Sequence, residues 1–307
     1  MKTYTNCPVC SDTKFTKNIT CKDNTGSTES FNIVACDTCN FAFTNPIPLE
    51  SDLGRYYESE SYISHSNTNK GLVNFLYQKV RNHTLDTKIS LLTNLSAGQE
   101  LLDIGCGTGE FLNRAKQKHF NIEGIEPSDD ARKQVQNNFS ITVHDETHLG
   151  KLQNKSFDFI TMWHVLEHVY HLNDRMTELR RLLKDDGHII IAVPNLKSYD
   201  AQKYKEHWAA YDLPRHLYHF SEGDVKTLAT KHGLTVTKTL PMKFDSYYVS
   251  MLSEKYKTGS QSLISAFLTG LKSNSLAKRK GGYSSHIYIL KKQQEAICSL
   301  ITHPAWL

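Results

Sequence analysis

Three groups of residues in this chain have the types and spacing to do chemistry. The first is Asp103-x-Gly105-x-Gly107-x-Gly109, a carboxylate two residues ahead of three alternating glycines, with Glu126 closing the run Gly124-Ile125-Glu126 further on. Glycines without side chains let a ligand approach the backbone closely, as at the nucleotide-binding turn that joins a strand to a helix. The second is His164-x-x-Glu167-His168, where imidazoles and a carboxylate at i, i+3 and i+4 share one face of a helical turn. Proton transfer and cation binding both use such groups. The third is the two pairs Cys7-x-x-Cys10 and Cys36-x-x-Cys39, four soft ligands in the spacing of a tetrahedral structural zinc site.

The ligand of the glycine turn follows from Asp103. A dinucleotide site would place an apolar residue or glycine there, beneath an anionic pyrophosphate, and a nicotinamide-dependent oxidoreductase therefore fits poorly. A carboxylate suits a cationic ligand such as S-adenosylmethionine, with its ammonium and sulfonium. Glu126, about twenty residues on, is then placed to accept both ribose hydroxyls. Asp145, in His144-Asp145-Glu146, is the candidate acceptor for the adenine amine, and Trp163 is expected to line the pocket.

These residues need elements to hold them. Short apolar runs alternating with amphipathic helices from about residue 100 onward predict a parallel sheet covered on both faces. Seven strands are expected, over 101–104, 122–125, 141–144, 157–163, 188–193, 234–239 and 286–290. The glycine turn follows the first, Glu126 the second and the histidine face the fourth, all at the carboxyl ends where such sheets bind ligands. A second cluster, Tyr211-Asp212-Leu213-Pro214-Arg215-His216-Leu217-Tyr218-His219, comes after the fifth strand and is expected to return over that end, bringing Arg215 and His216 to the site. Ser221 and Asp224 read as a helix cap.

Around this core the chain divides into a cysteine unit at 1–45, a connector and bridging helix at 46–98, the main domain at 99–292 and a tail at 293–307. An insertion at 241–284, with helical patterns near Tyr247 and Leu263, reads as a cap on the acceptor side. At 307 residues with 39% hydrophobic and 22% charged, there is material for a large core and no sign of global disorder. The net charge of +4 singles out no anionic partner, and Lys278-Arg279-Lys280, the one basic triplet, reads as solvated surface. The absence of a long apolar run or signal-like start leads to an expectation of a cytoplasmic protein with reduced cysteines.

The segment 101–195 resembles the class I S-adenosylmethionine-dependent methyltransferases. The glycine block, acidic Glu126, the run from Phe157 to Val169 and the run Gly187-His188-Ile189-Ile190-Ile191-Ala192-Val193-Pro194-Asn195 match four recurrent blocks in order. Within that family the chain is similar to the ubiquinone O-methyltransferase group, and its cysteine pairs are similar to those of sugar C-methyltransferases with a zinc-binding domain. The resemblance implies a Rossmann-like methyltransferase fold, S-adenosylmethionine as cofactor, structural zinc at Cys7, Cys10, Cys36 and Cys39, and methyl transfer to oxygen or carbon of a small molecule. Three roles stay open for the histidine face: bracing of the loop, a general base among His164, His168 and His216, or a second divalent metal at Glu167 and His168. An RNA base methyltransferase gripping RNA through the ribbon, and a cofactor- or partner-binding protein without turnover, are the alternatives. The ribbon lysines are interleaved with acids, which disfavours a phosphate-binding stripe.

Overall fold

The structure, a computed structural model, describes residues 1–57, 72–260 and 262–294, with the backbone alone for 72–77. Gly71, Tyr62, Cys298 and nearly all of the 293–307 tail lie outside the described residues.

Among the described residues ten strands follow one another along the chain. They are β1 (Phe15–Lys22), β2 (Ser30–Cys36), β3 (Ala42–Thr44), β4 (Glu100–Ile104), β5 (Asn121–Ile125), β6 (Phe157–Trp163), β7 (Leu183–Pro194), β8 (Tyr218–His219), β9 (Leu234–Pro241) and β10 (Ser285–Lys292). The central sheet has six of them, in the order β5-β4-β6-β7-β10-β9. Strands β4 to β7 are parallel, while β10 runs antiparallel to both β7 and β9. Leu101, Leu102, Phe159, Ile160, Ile190 and Ile191 have no exposed surface, as expected of strands covered on both faces. The expected strand over 141–144 is not one of the six. It is reduced to a single parallel bridge from His144 to Ile125, because Ile141 and Val143 bury against Leu112 and Val135 without forming a ladder. Their apolar alternation reports burial beside the sheet.

The helices supply the two covers. α1 (Leu72–Leu95) lies on α2 (Glu110–Gln117), tied by the Arg81–Glu110 ion pair and by Arg114 to Asp86 at 2.5 Å. α3 (Asp129–Phe139) starts at Ser128, whose hydroxyl accepts from the Ala131 amide. α4 (Leu172–Leu182) buries Leu172, Met176, Leu179 and Leu182, one apolar stripe at helical spacing. After the short α5 (Tyr199–Tyr204), α6 (Glu222–Lys231) begins with the expected Ser221–Asp224 pair, here a complete capping box. α7 (Asp245–Thr258) and α8 (Leu263–Lys280) form a helical hairpin between β9 and β10. Among the described residues no helix is long and apolar enough to cross a membrane.

The N-terminal strands β1, β2 and β3 form a second sheet, completed by β8 from the far part of the chain. Ala42 pairs His219 and Phe43 pairs Tyr218. Phe41 and Phe43 join Leu217, Tyr218, Phe220 and Leu179 in one apolar cluster. The cysteine unit therefore shares its core with the segment that carries His216.

Candidate functional site

Gly105, Gly107 and Gly109 all have positive φ, which explains why no side chain occupies these positions. A Cβ on Gly105 would stand 2.4 Å from Val165, a close backbone approach beneath the turn. A Cβ on Gly107 would meet nothing within 4 Å, so this backbone faces open space. Around that space stand Asp103 and Glu126, both buried. Glu126 receives the Gly107 amide on Oε2 at 2.8 Å and the Ser128 amide on Oε1 at 3.0 Å, which fixes the carboxylate across the mouth of the turn.

Asp103 accepts from the Thr161 hydroxyl at 2.6 Å. Burial raises its pKa to about 7, although Thr161 and the Lys88 ammonium both oppose the rise. Lys88, on α1, lies 4.1 Å over the Trp163 ring, and its own pKa is lowered to about 8 by the same burial. Trp163 also packs edge-on against Phe111. Asp145 sits apart from this group, exposed, with Oδ1 accepting from the Thr147 amide and hydroxyl at 2.8 and 2.5 Å.

Beyond β6 the chain turns at His164, whose φ of 57 places a non-glycine residue in the left-handed region. Its ring bridges two carboxylates: Nε2 is 3.0 Å from Asp245 Oδ2 and Nδ1 is 3.4 Å from Glu167 Oε1. Burial favours the neutral ring, but Asp245 and Glu167 prevail and raise its pKa to about 10. His164 is thus an imidazolium at neutral pH.

Glu167 lies in the one-turn helix Leu166–His168 and is fully buried. Neither of its oxygens has a hydrogen-bond partner among the described residues, since the approach of His164 lacks hydrogen-bond geometry. Burial would raise its pKa, yet the surrounding His164, His216 and His168 hold it lowered. His168 and His216 meet edge to face at 4.5 Å between ring centres. His168 Nδ1 is 3.1 Å from the Arg215 carbonyl and 3.0 Å from the Tyr57 hydroxyl. His216 Nδ1 is 2.9 Å from the Ala210 carbonyl. Carbonyls only accept, so both histidines carry a proton on Nδ1. Burial and the neighbouring His216 lower the His168 pKa to about 4, which leaves that ring neutral. One ligand atom each from Glu167, His168 and His216 lies within 4.8 Å of the others. A buried carboxylate with free lone pairs, beside two imidazoles oriented by backbone carbonyls, is a donor set that suits a divalent cation.

The returning segment 211–219 brings His216 to His168 as the sequence suggested, but it turns Arg215 inward. The Arg215 guanidinium is 1% exposed, donating Nε to Asp212 at 2.9 Å and Nη1 to the Tyr56 carbonyl at 2.7 Å. It braces the loop. Sequence reasoning also passed over Lys88 and Asp245, both on helices read only as bridge and cap; each acquires its place through tertiary packing.

The four cysteines meet at the other end of the N-terminal sheet. Cys7 and Cys39 sulfurs are 3.6 Å apart, Cys10 and Cys36 3.4 Å, and all four lie within 4.8 Å. Tetrahedral zinc–sulfur bonds of about 2.3 Å need sulfurs about 3.8 Å apart, so the cluster has the dimensions of a zinc ribbon.

Known proteins share this architecture. A family model described as a methyltransferase domain matches residues 77–239, just over half of the chain, from α1 through most of β9. A ubiquinone biosynthesis O-methyltransferase of Actinobacillus pleuropneumoniae is 27% identical over 52% of this chain and 73% of its own length. An uncharacterised protein of Methanocaldococcus jannaschii is 32% identical over 47% of this chain, which spans only 51% of that protein. Among solved structures, magnesium protoporphyrin IX methyltransferase from Synechocystis superposes with a TM-score of 0.50 at 16% identity. That superposition covers 80% of this chain and 100% of that one, and at this identity it speaks to the fold alone. With the family match running through the glycine turn, Glu126 and the histidine face, the chain belongs to the methyltransferase domain family and is a class I S-adenosylmethionine-dependent methyltransferase.

Proposed function

We propose that the chain methylates an oxygen or carbon of a small-molecule acceptor, with Glu167, His168 and His216 holding a divalent cation beside the cofactor. The observation that carries this reading is Glu167: a buried carboxylate whose oxygens make no hydrogen bond among the described residues, paired with His164 only at Oε1 and only at 3.4 Å, with one ligand atom each of His168 and His216 within 4.8 Å. Asp103 would face the cofactor's ammonium, Gly105 to Gly109 its backbone side and Glu126 its ribose. Trp163 would line the pocket, while exposed Asp145 would reach the adenine amine. The ribbon at 1–45 would hold structural zinc and support the 211–219 segment, and the acceptor would enter between that segment and the 241–284 cap.

Methyl transfer is an in-line displacement at the sulfonium carbon, so positioning does most of the work. A bound divalent cation would supply the acidity that lets an acceptor hydroxyl or enol lose its proton near neutral pH. His168 and His216 would keep their Nε2 lone pairs toward it, and His164, as an imidazolium, would hold Glu167 and the cap in place rather than abstract a proton. The ribbon lysines Lys14, Lys17 and Lys22 are interleaved with Asp12, Asp23 and Glu29, which supports a small acceptor over RNA.

The test pairs two titrations with a turnover assay. S-adenosylmethionine should bind wild type and Glu167→Gln alike, whereas manganese should bind wild type alone, and release of the demethylated cofactor with hydroxylated aromatic or sugar acceptors should require the divalent ion. Binding of manganese to the variant, or its full divalent-independent turnover, would overturn the assignment of the cluster. Preference for a nicotinamide dinucleotide would overturn the cofactor.

A further inference from the structure

The cap is built inside out. Along α8 the residues turned toward α7 and the body of the protein are small: Ala266, Thr269, Gly270, Ser273 and Ala277. A Cβ on Gly270 would stand 2.6 Å from the Tyr247 ring, so the two helices approach as closely as a glycine allows. The facing side of α7 is likewise small and polar, with Ser246, Ser250 and Ser253 fully buried. The large apolar side chains point the other way. Leu263, Ile264, Phe267, Leu268 and Leu271 are 49–76% exposed and fall at i, i+1, i+4, i+5 and i+8, a continuous stripe on the outer face. A water-facing helix carries the opposite pattern, and contiguous apolar surface of this kind marks a docking site.

Charge indicates what docks there. Residues 241–284 hold seven basic side chains, Lys243, Lys255, Lys257, Lys272, Lys278, Arg279 and Lys280, against two acids, so the cap alone carries +5 in a chain whose whole charge is +4. All seven bases are exposed. Both acids are engaged inward, Asp245 with His164 at 3.0 Å and Glu254 with the Tyr204 and Ser265 hydroxyls at 2.9 and 2.7 Å. Along the chain the apolar stripe lies between Lys255 and Lys257 at the end of α7 and Lys272 and the 278–280 triplet further along α8. Apolar side chains between cationic borders complement an anionic lipid surface, where the chains enter the acyl boundary and the bases meet the headgroups. The helix is not apolar enough to span, and it would lie in the plane.

We infer that the α7–α8 hairpin is a membrane-docking element that binds the surface of an anionic bilayer through Leu263, Ile264, Phe267, Leu268 and Leu271. This goes beyond the methyl-transfer reading and does not depend on it. Docking would set the acceptor side of the cleft against the bilayer, since Asp245 at the base of the hairpin touches the site.

The full chain would be spun with phosphatidylcholine vesicles, either pure or containing about a third phosphatidylglycerol, a strongly anionic surface. Wild type should bind the anionic vesicles at least about tenfold more strongly than the neutral ones, because each basic residue near such a surface favours binding roughly fivefold. Ile264→Glu with Phe267→Glu should abolish the association, and Lys278→Glu with Arg279→Glu and Lys280→Glu should remove the preference for anionic lipid. All five side chains are exposed, and unchanged melting and cofactor binding would establish that the variants are folded. Failure of wild type to bind anionic vesicles, or undiminished binding by the folded apolar variant, overturns the inference. A dimer in solution that the apolar variant splits, without vesicle binding by either protein, would overturn it too and assign the face to a second copy of the chain.

Discussion

His164 Nε2 and Asp245 Oδ2 stand 3.0 Å apart, so the residue just past β6 is tied by charge to the first residue of the cap hairpin. The tie fixes the cap relative to Glu167, which the same imidazole approaches from its other nitrogen. Asp245→Asn should therefore lower kcat about tenfold, in the range of one charged hydrogen bond at a partly exposed site, while the cofactor Kd stays the same. Steady-state kinetics and calorimetry on one preparation separate the two effects; a change in Kd alone would contradict the latch.

Asp103 makes cofactor affinity depend on pH. Its carboxyl, with a pKa near 7 in the folded protein against the ordinary aspartate value of 3.8, is partly protonated at neutrality. A cationic ligand favours the ionised form, so affinity for S-adenosylmethionine should rise between pH 6 and 8, and Asp103→Asn should flatten that rise.

Without cofactor the same group affects stability in the opposite sense. A folded pKa raised above the unfolded one contributes stability that is full below about pH 4 and is lost as pH rises through 7. At pH 8 Asp103→Asn should melt a few degrees above the parent protein, although it binds cofactor less well. A lower melting temperature in calorimetric scans would show that the ionised carboxylate is structurally favourable.

The glycine turn offers a contrast between neighbours. Gly105→Ala drives a Cβ into Val165 and adds strain at positive φ, and should cost more than about 2 kcal/mol of stability. Gly107→Ala meets no protein atom and should cost only about 1 kcal/mol, the left-handed backbone penalty. It should nevertheless weaken the cofactor at least as much as Gly105→Ala does. Denaturant melts with cofactor titrations resolve the pair.

Cys36→Ser should release the zinc expected at the four cysteines and also reach the active site, because β3 pairs with β8 just beyond His216. Metal analysis together with hydrogen exchange at residues 211–220 should show zinc loss and weakened protection there. Loss of protection confined to residues 1–45 would mean that the ribbon stands alone.

What the sequence made legible was local. The three glycines and the paired cysteines declare themselves because backbone conformation and metal geometry restrict those positions to few residue types. The 141–144 strand misled because apolar alternation reports burial, and Ile141 and Val143 are buried without a ladder. Arg215 misled because a charged side chain beside histidines suggests a ligand contact, whereas Asp212 and the Tyr56 carbonyl engage it internally. Lys88 and Asp245 carried no local signal at all. Each is an ordinary helix residue in sequence, and only packing sets one over Trp163 and the other against His164.

The pairing of Phe43 with Tyr218 also has a consequence for biosynthesis. The chain emerges from its N-terminus, so the outer strand of the ribbon waits for a partner encoded far downstream. At translation rates of about 5–20 residues per second, that wait is on the order of ten to thirty-five seconds. During it, Phe41 and Phe43 have no Tyr218 or Phe220 to pack on, and an open strand edge beside two aromatic rings invites association with other chains. Early zinc capture by the cysteines would close the rest of the ribbon in the meantime, so metal supply during synthesis should govern the yield of folded protein.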